Sequence, residues 1–244
     1  MTMGKAEWLR SKMSGGLLVS ALVFASAWAG GCASGGDVTL RTDAAAYQRL
    51  SEAERQGAAA KPESELARAR QELDTAEQEL ANAKREAAVL TEEQAASEDA
   101  LAKARAALAA APANKQEDAR HDLEVAEAGV SVQASRQPWL SARDSWLTQV
   151  VEVARRHVAA ADAGVELARA QLLARHDGSV EVERYRGQYG RLHKAWSDAQ
   201  AQLRPARQLL DHMEAALTSA KKRYAELKGT VLPAPAPIPP PVAQ

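Results

Sequence analysis

The sequence predicts an all-α protein: an elongated antiparallel three-helix bundle or coiled coil with a short extra helix near its amino terminus. Three long stretches repeat apolar residues at alternating spacings of three and four, which is typical of helices packed lengthwise. The chain is rich in Ala, Leu, Glu, Arg and Gln, which favour helices, and glycine and proline are confined to few positions. No strand-like alternation of any length occurs.

Residues 1–31 have the pattern of a secretory signal peptide. Lys5, Arg10 and Lys12 precede an apolar run of small residues over 15–29. This run is too short and wrongly flanked for a stable transmembrane helix. We therefore expect the leader to be cleaved and the rest of the chain to be exported.

The sequence Ala29-Gly30-Gly31-Cys32 resembles a bacterial lipobox. The resemblance implies that Cys32, the single cysteine, carries an acyl chain such as palmitate and becomes the mature amino terminus. Because Ala33 and not Asp follows, it also implies the outer membrane, with the protein on its periplasmic face. The alternative is an ordinary signal cleaved at an A-x-A site, which gives a soluble periplasmic or secreted protein with an unpaired thiol.

The mature chain is predicted to begin with a flexible tether over residues 32–42. A helical and coiled-coil rod over 43–228 follows, and its first helix spans about 43–60 with Asp43 as its cap. The first long helix is predicted over 62–111, because Pro62 suits a first helical turn.

The second long helix is predicted over 115–176, where Asn114 and Glu117 have the spacing of a capping box. Asp177-Gly178-Ser179 indicates the next turn.

The third long helix is predicted over 180–228 and ends at Gly229. The tail over 229–244 is rich in proline and uncharged, so we expect it to be disordered, with the alternative of an extended ligand for a partner.

Short turns between long helices predict antiparallel neighbours and a slim rod of roughly 75 Å. In this arrangement Trp196 lies opposite Ala160 and Ala161. Residues 62–111 carry an excess of acids and residues 180–228 an excess of bases. The flanks of these two parallel helices can therefore pair in a closed bundle, although both can equally be solvated.

Polar residues interrupt the apolar seams at one level of the rod. Reflection about the turns brings them together and places Asp144 near His212. Structural register or a hinge is the favoured interpretation, with a ligand site as the alternative. The members of this cluster are Gln94, Ser97, Gln133, Gln137, Pro138, Asp144 and His212.

Catalytic, metal-binding and cofactor motifs are not evident in the sequence. The five histidines lack the spacing of paired ligands, so we interpret each as a surface group. The basic and aromatic run from Tyr185 to Trp196 lies on a predicted seam, which favours a packing role over nucleic-acid binding. We therefore expect no enzymatic activity and no cofactor.

Residues 61–70 and the Leu and Ala repeat after them resemble the alanine-rich helical domains found on bacterial envelope lipoproteins. The resemblance implies a non-enzymatic spacer or scaffold, held in the membrane by its lipid and contacting an envelope protein or the cell wall. The alternative is an accessory or adaptor subunit of a secretion, efflux or motility complex. An alanine-rich seam can also close between chains, giving a homo-oligomer.

Overall fold

The computed structural model describes residues 39–229, which form helices and turns without any strand. The all-α prediction is confirmed for this part of the chain. The leader, Cys32 and the proline-rich tail from residue 230 lie outside the described residues. The helices are α1 (Ala44–Gln48), α2 (Glu52–Ala110), α3 (Gln116–Ala174) and α4 (Val182–Leu227), with a 3-10 turn at Ala113–Lys115.

The start of α2 differs from the prediction. The predicted helix over 43–60 is interrupted at residues 49–51, and a single helix then runs from Glu52 to Ala110. The cause is a capping box, in which Ser51 Oγ accepts from Glu54 N at 3.4 Å and Glu54 Oε2 accepts from Ser51 N at 3.1 Å. These two bonds satisfy backbone groups at the helix start, so α2 begins ten residues earlier than expected.

Pro62 therefore lies inside α2 and not in a first turn. Proline has no N–H to donate, and its ring crowds the carbonyl four residues earlier, here that of Ala58. The helix nevertheless continues on both sides, and the hydroxyl of Ser64 donates to the carbonyl of Lys61 at 2.8 Å. A predicted breaker is thus accommodated within a long helix.

The turn before α3 was also predicted wrongly in detail. The Asn114 and Glu117 capping box does not form, because residues 113–115 adopt the 3-10 turn and no side chain caps α3. The turn after α3 matches the prediction, with Asp177 Oδ1 accepting from Ser179 N at 2.9 Å. At the end of α4, Gly229 has a φ of 66°, a conformation that glycine adopts without strain.

Helix α3 is the central element. It packs against both α2 and α4, whereas α2 and α4 have almost no close backbone approach to each other. On the α2 side, Leu66 and Ala69 form a buried cluster with Ala161 and Val165. On the α4 side, Gly164 allows a close approach, since a Cβ there would lie 3.3 Å from a ring carbon of Tyr189.

The ion pairs between helices join α2 to α3, which corrects the predicted pairing of α2 with α4. Within residues 39–229, none reaches from α2 to α4. Residue numbers rise along α2 as those of the partners fall along α3. The pairs are Glu63 with Arg169, Glu77 with Arg155, Glu86 with Arg143, and both Glu86 and Glu93 with Arg136. The acidic α2 finds its counter-charges on the central helix because that is the helix it contacts.

Candidate functional site

The amino-terminal segment of the described chain, residues 39–50, is a docked arm. Residues 39–42 have no regular secondary structure, Asp43 caps α1, and the chain turns at residues 49–51 into α2. The carboxylate of Asp43 accepts from Ala45 N at 2.8 Å and Ala46 N at 3.2 Å, as predicted for this cap. The prediction of a flexible tether through residue 42 is wrong for residues 39–42, because these residues bind side chains of α3 and α4.

Glu166 of α3 is the centre of this contact. It is 2% exposed, and its carboxylate accepts from the N–H and the hydroxyl of Thr42 at 2.8 and 2.9 Å. Arg41 and Arg169 donate to the other oxygen at 3.2 and 3.1 Å. A buried carboxylate is stable only when its oxygens are paired in this way.

The hydrogen bonds also set the pKa of Glu166. Burial alone raises the pKa of a carboxyl group, because it disfavours the charged form. The hydrogen bonds from Thr42 and Arg41 and the charge of Arg169 outweigh burial, so the pKa of Glu166 lies below its ordinary value of 4.5. Glu166 is therefore ionised at neutral pH.

Helix α4 holds the other side of the arm. The N–H of Leu40 donates to Gln188 Oε1 at 2.9 Å, and the hydroxyl of Tyr185 donates to the carbonyl of Arg41 at 3.0 Å. Arg41 also pairs with Asp162 of α3 at 2.9 Å. Side chains of two helices thus supply hydrogen-bond partners for the unpaired backbone of residues 40–42. We call Asp162, Glu166, Tyr185 and Gln188 the arm site.

Apolar contacts extend the docking to α1. Tyr47 is 8% exposed and forms a buried cluster with Leu172 and Leu173 near the end of α3. The guanidinium of Arg169 lies over the Tyr47 ring, 5.2 Å from its centroid. Arg169 therefore links the ring of Tyr47 to the carboxylate of Glu166.

An open groove of about 340 Å³ runs beside the arm. Acids and bases alternate around it, and Arg41, Asp162 and Arg169 are already committed to ion pairs. The remaining lining residues are Glu63, Leu66, Ala67, Arg70 and Val165. We see no arrangement here that concentrates one charge on a ligand.

A second cluster joins all three long helices near the arm. His157 of α3 is 4% exposed, and its Nδ1 lies 2.9 Å from Glu72 Oε2 of α2. Its ring stacks on Trp196 of α4 with centroids 4.2 Å apart and an interplanar angle of 7°. Burial by itself raises the pKa of Glu72, but the hydrogen bonds from Arg68 and His157 lower it below the ordinary value.

The prediction that every histidine is a surface group is therefore wrong for His157. The sequence contained a usable signal, because His157 directly precedes the predicted seam residue Val158. Trp196 was expected opposite Ala160 and Ala161, and its stacking partner His157 lies close to that level. His157 and Glu72 contact each other and Trp196, and we interpret the cluster as a link between helices.

The predicted polar cluster is brought together only in part. Gln94 Nε2 lies 3.5 Å from Gln137 Oε1, which joins α2 to α3 as the reflection predicted. Gln133 Oε1 and Asp144 Oδ1 are buried without a hydrogen-bond partner.

The other members of the cluster make no contact across the helices that bears on the prediction. Ser97 donates to the carbonyl of Glu93 in its own helix at 3.0 Å. Pro138, inside α3, and His212 of α4 are exposed. A register or hinge role for the cluster stays a prediction.

Among residues 39–229, no group of three or more His, Cys, Asp and Glu side chains is arranged to hold a metal ion. None of the helices described is long and apolar enough to span a bilayer.

Compared with known proteins, the chain matches no protein family, no curated protein and no solved structure.

Proposed function

We propose that the protein is a lipid-anchored helical spacer of the bacterial cell envelope, without enzymatic activity. In this proposal Cys32 is acylated in the outer membrane, and the helices form an antiparallel rod on the periplasmic side. The lipobox-like sequence before Cys32 supports the anchor. The three long helices, packed along a central one, support the spacer.

The docking of the arm is the observation that carries the proposal. Six residues, 33–38, separate Cys32 from Thr39, the first described residue of the arm. An extended chain covers at most about 25 Å over that interval. A lipid on Cys32 would therefore hold the helices close to the bilayer, because Leu40, Arg41 and Thr42 are fixed to α3 and α4.

The position of the arm site gives the spacer a direction. Glu166 lies near the end of α3, whereas Gln116 begins the same helix at the turn from α2. The fifty residues between them correspond to about 75 Å of helix. The turn between α2 and α3 is then the part of the rod that can reach furthest from the anchor, toward an envelope protein or the cell wall.

The chemistry of the buried polar groups supports a structural role. Glu166 and Glu72 each accept hydrogen bonds from neighbouring residues, and both are held ionised by these partners. A general acid or base at neutral pH needs a carboxyl pKa raised toward 7. The shifts here have the opposite sign, which favours fixing the helices over proton transfer.

The proposal is tested by labelling cells with a radioactive fatty acid. Wild-type protein should be labelled and recovered with the outer membrane, and Cys32→Ser should be unlabelled and released. Since Cys32 is the single cysteine, label on sulfur can have no other origin. Equal labelling of both proteins, or release of both, would contradict the anchor.

Pull-down of full-length protein then tests the spacer. Many weak contacts with the cell wall are expected of a spacer. One stable complex of fixed stoichiometry would indicate the adaptor subunit instead.

A further inference from the structure

The break between α1 and α2 contains no residue that opposes a helix. The three residues are Arg49, Leu50 and Ser51, without glycine or proline, and the pattern of the sequence predicts helix through this point. The structure shows the alternative, with α1 folded back on α3. The segment therefore has two accessible arrangements, a closed hinge and a continuous helix.

Identifiable contacts hold the hinge closed. The capping box of Ser51 and Glu54 fixes the start of α2, and the hydroxyl of Tyr47 donates to the carbonyl of Arg55 at 3.4 Å. Gln48 also accepts from Arg55 across the break. Straightening replaces the caps with backbone hydrogen bonds of a continuous helix, so the balance depends chiefly on where the arm is docked.

A straight hinge carries the arm away from its own arm site. Continuation of α2 back to Ala44 adds eight residues, or about 12 Å, along the helix axis. Tyr47 then leaves Leu172 and Leu173, and residues 40–42 leave Glu166 and Gln188. The arm and the arm site are both left without partners.

We propose that two copies of the chain exchange arms, each docking residues 40–47 on the arm site of the other. The complementarity is the one already present within a single chain. Glu166 and Gln188 accept from the backbone of Thr42 and Leu40, and Asp162 pairs with Arg41. Exchange of an identical element preserves every one of these contacts, so the dimer requires little beyond the straight hinge.

The exchange is reciprocal and closed, since each copy donates one arm and accepts one. It does not require the lipid. Two copies held in one membrane would meet at high local concentration, which favours the dimer further.

The test uses two defective full-length variants with different affinity tags, purified in mild detergent. Arg41→Ala combined with Tyr47→Ala damages the arm, and Glu166→Ala damages the arm site. Wild-type copies should co-purify, and each variant alone should not. A mixture of the two variants should co-purify again, because an intact arm on one copy can dock on an intact arm site of the other.

Three results would overturn arm exchange. These are wild-type copies that do not co-purify, variants that still co-purify with themselves, and a mixture that stays separate. If Glu166→Ala does not fold by circular dichroism, Asp162→Ala is used as the arm-site variant, since that side chain is partly exposed.

Arg49 offers a matched pair of variants for the hinge. It is exposed, so neither Arg49→Gly nor Arg49→Ala removes a buried contact. Glycine disfavours the helix by about fivefold relative to alanine for each chain that straightens. The dimer of the glycine variant should therefore dissociate about 25-fold more readily than that of the alanine variant. Equal dissociation constants would contradict a helical hinge.

Discussion

At the scale of single residues, Glu166 has the most demanding environment in the described chain. Its carboxylate is almost fully buried and accepts hydrogen bonds from Arg41, Thr42 and Arg169. Two of these donors belong to the arm. Loss of the arm would leave much of a buried charge unpaired, which couples the position of the arm to the stability of the helices.

We predict that Glu166→Gln loosens the arm. The amide replaces one acceptor oxygen with a donor that faces arginine, so the free energy of unfolding should fall by about 1 to 3 kcal/mol. Trypsin should also cleave after Arg41 and Arg49 faster than in the wild type. Glu77→Gln is the control, because its exposed pair with Arg155 contributes at most about 1 kcal/mol. Equal cleavage rates in all three proteins would contradict the docked arm.

The pKa shifts predict how the arm responds to acid. The pKa values of Glu166 and Glu72 lie below the ordinary 4.5 in the folded protein. Each group therefore contributes stability that is fully present above about pH 4.5 and is lost as the pH falls through the lower folded pKa. Hydrogen exchange of the Leu40 and Thr42 amides, corrected for the intrinsic rate, should be constant from pH 5 to 8 and lose protection in stronger acid. A loss of protection between pH 6 and 7 would not fit this prediction.

The unpaired polar atoms of α3 lead to a different prediction. Gln133 Oε1 is buried without a hydrogen-bond partner, and this costs free energy that an apolar side chain would not. Gln133→Leu and Gln94→Leu should therefore raise the melting temperature if these residues serve to fix register. Gln137→Leu, on the exposed side of the same pair, is the comparison. A lower melting temperature for Gln133→Leu would count against the register role.

At the scale of the helices, the glycines of α3 and α4 separate propensity from packing. A Cβ on Gly187 would meet nothing within 4 Å, whereas a Cβ on Gly164 would lie 3.3 Å from Tyr189. Gly187→Ala should raise the free energy of unfolding by about 0.5 to 1 kcal/mol, as expected for an exposed helix interior. Gly164→Ala should gain less or lose stability, because the ring must move. Urea denaturation of both variants measures the difference, and equal gains would contradict the close contact of α3 with α4.

Helix ends were predictable where one residue decides them locally. Asp43 and Gly229 were read correctly because a cap and a left-handed glycine act within one turn. The start of α2 was missed although Ser51 and Glu54 have the spacing of a capping box. Pro62 was given more weight than that cap, and the packing of α2 along α3 keeps the helix intact through the proline.

The arm site could not be predicted, because it depends on residues far apart in the sequence. Glu166 and Thr42 are 124 positions apart, and nothing local to either indicates the contact. The same holds for His157, whose burial requires Glu72 from α2 and Trp196 from α4. Periodicity identified which helices pack, and it did not identify which polar side chains the packing encloses.

At the scale of the whole molecule, α3 gives the three long helices their order. The acids of α2 meet the bases of α3, and Trp196 and Tyr189 of α4 contact the other side of α3. The charge difference between α2 and α4 was read correctly from the sequence, but its partner was not. Net charge identifies which helix is acidic, whereas the contacts decide where that charge is paired.

The arm connects this arrangement to the proposed anchor. If Cys32 is acylated, the end of the rod that contains Gly178 should stay near the membrane, with the turn at Ala113 far from it. The helix between these levels corresponds to about 88 Å for the 59 residues of α3.

The most direct test is energy transfer from a fluorophore on the protein to acceptors on the surface of lipid vesicles that carry the acylated full-length chain. A label attached through an unnatural amino acid at Gly178 should transfer energy efficiently, and a label at Ala113 should transfer little. Glu166→Ala should reduce the difference, because a released arm lengthens the tether. Equal transfer from both positions in the wild type, or stronger transfer from Ala113, would contradict an anchored spacer held at its arm end.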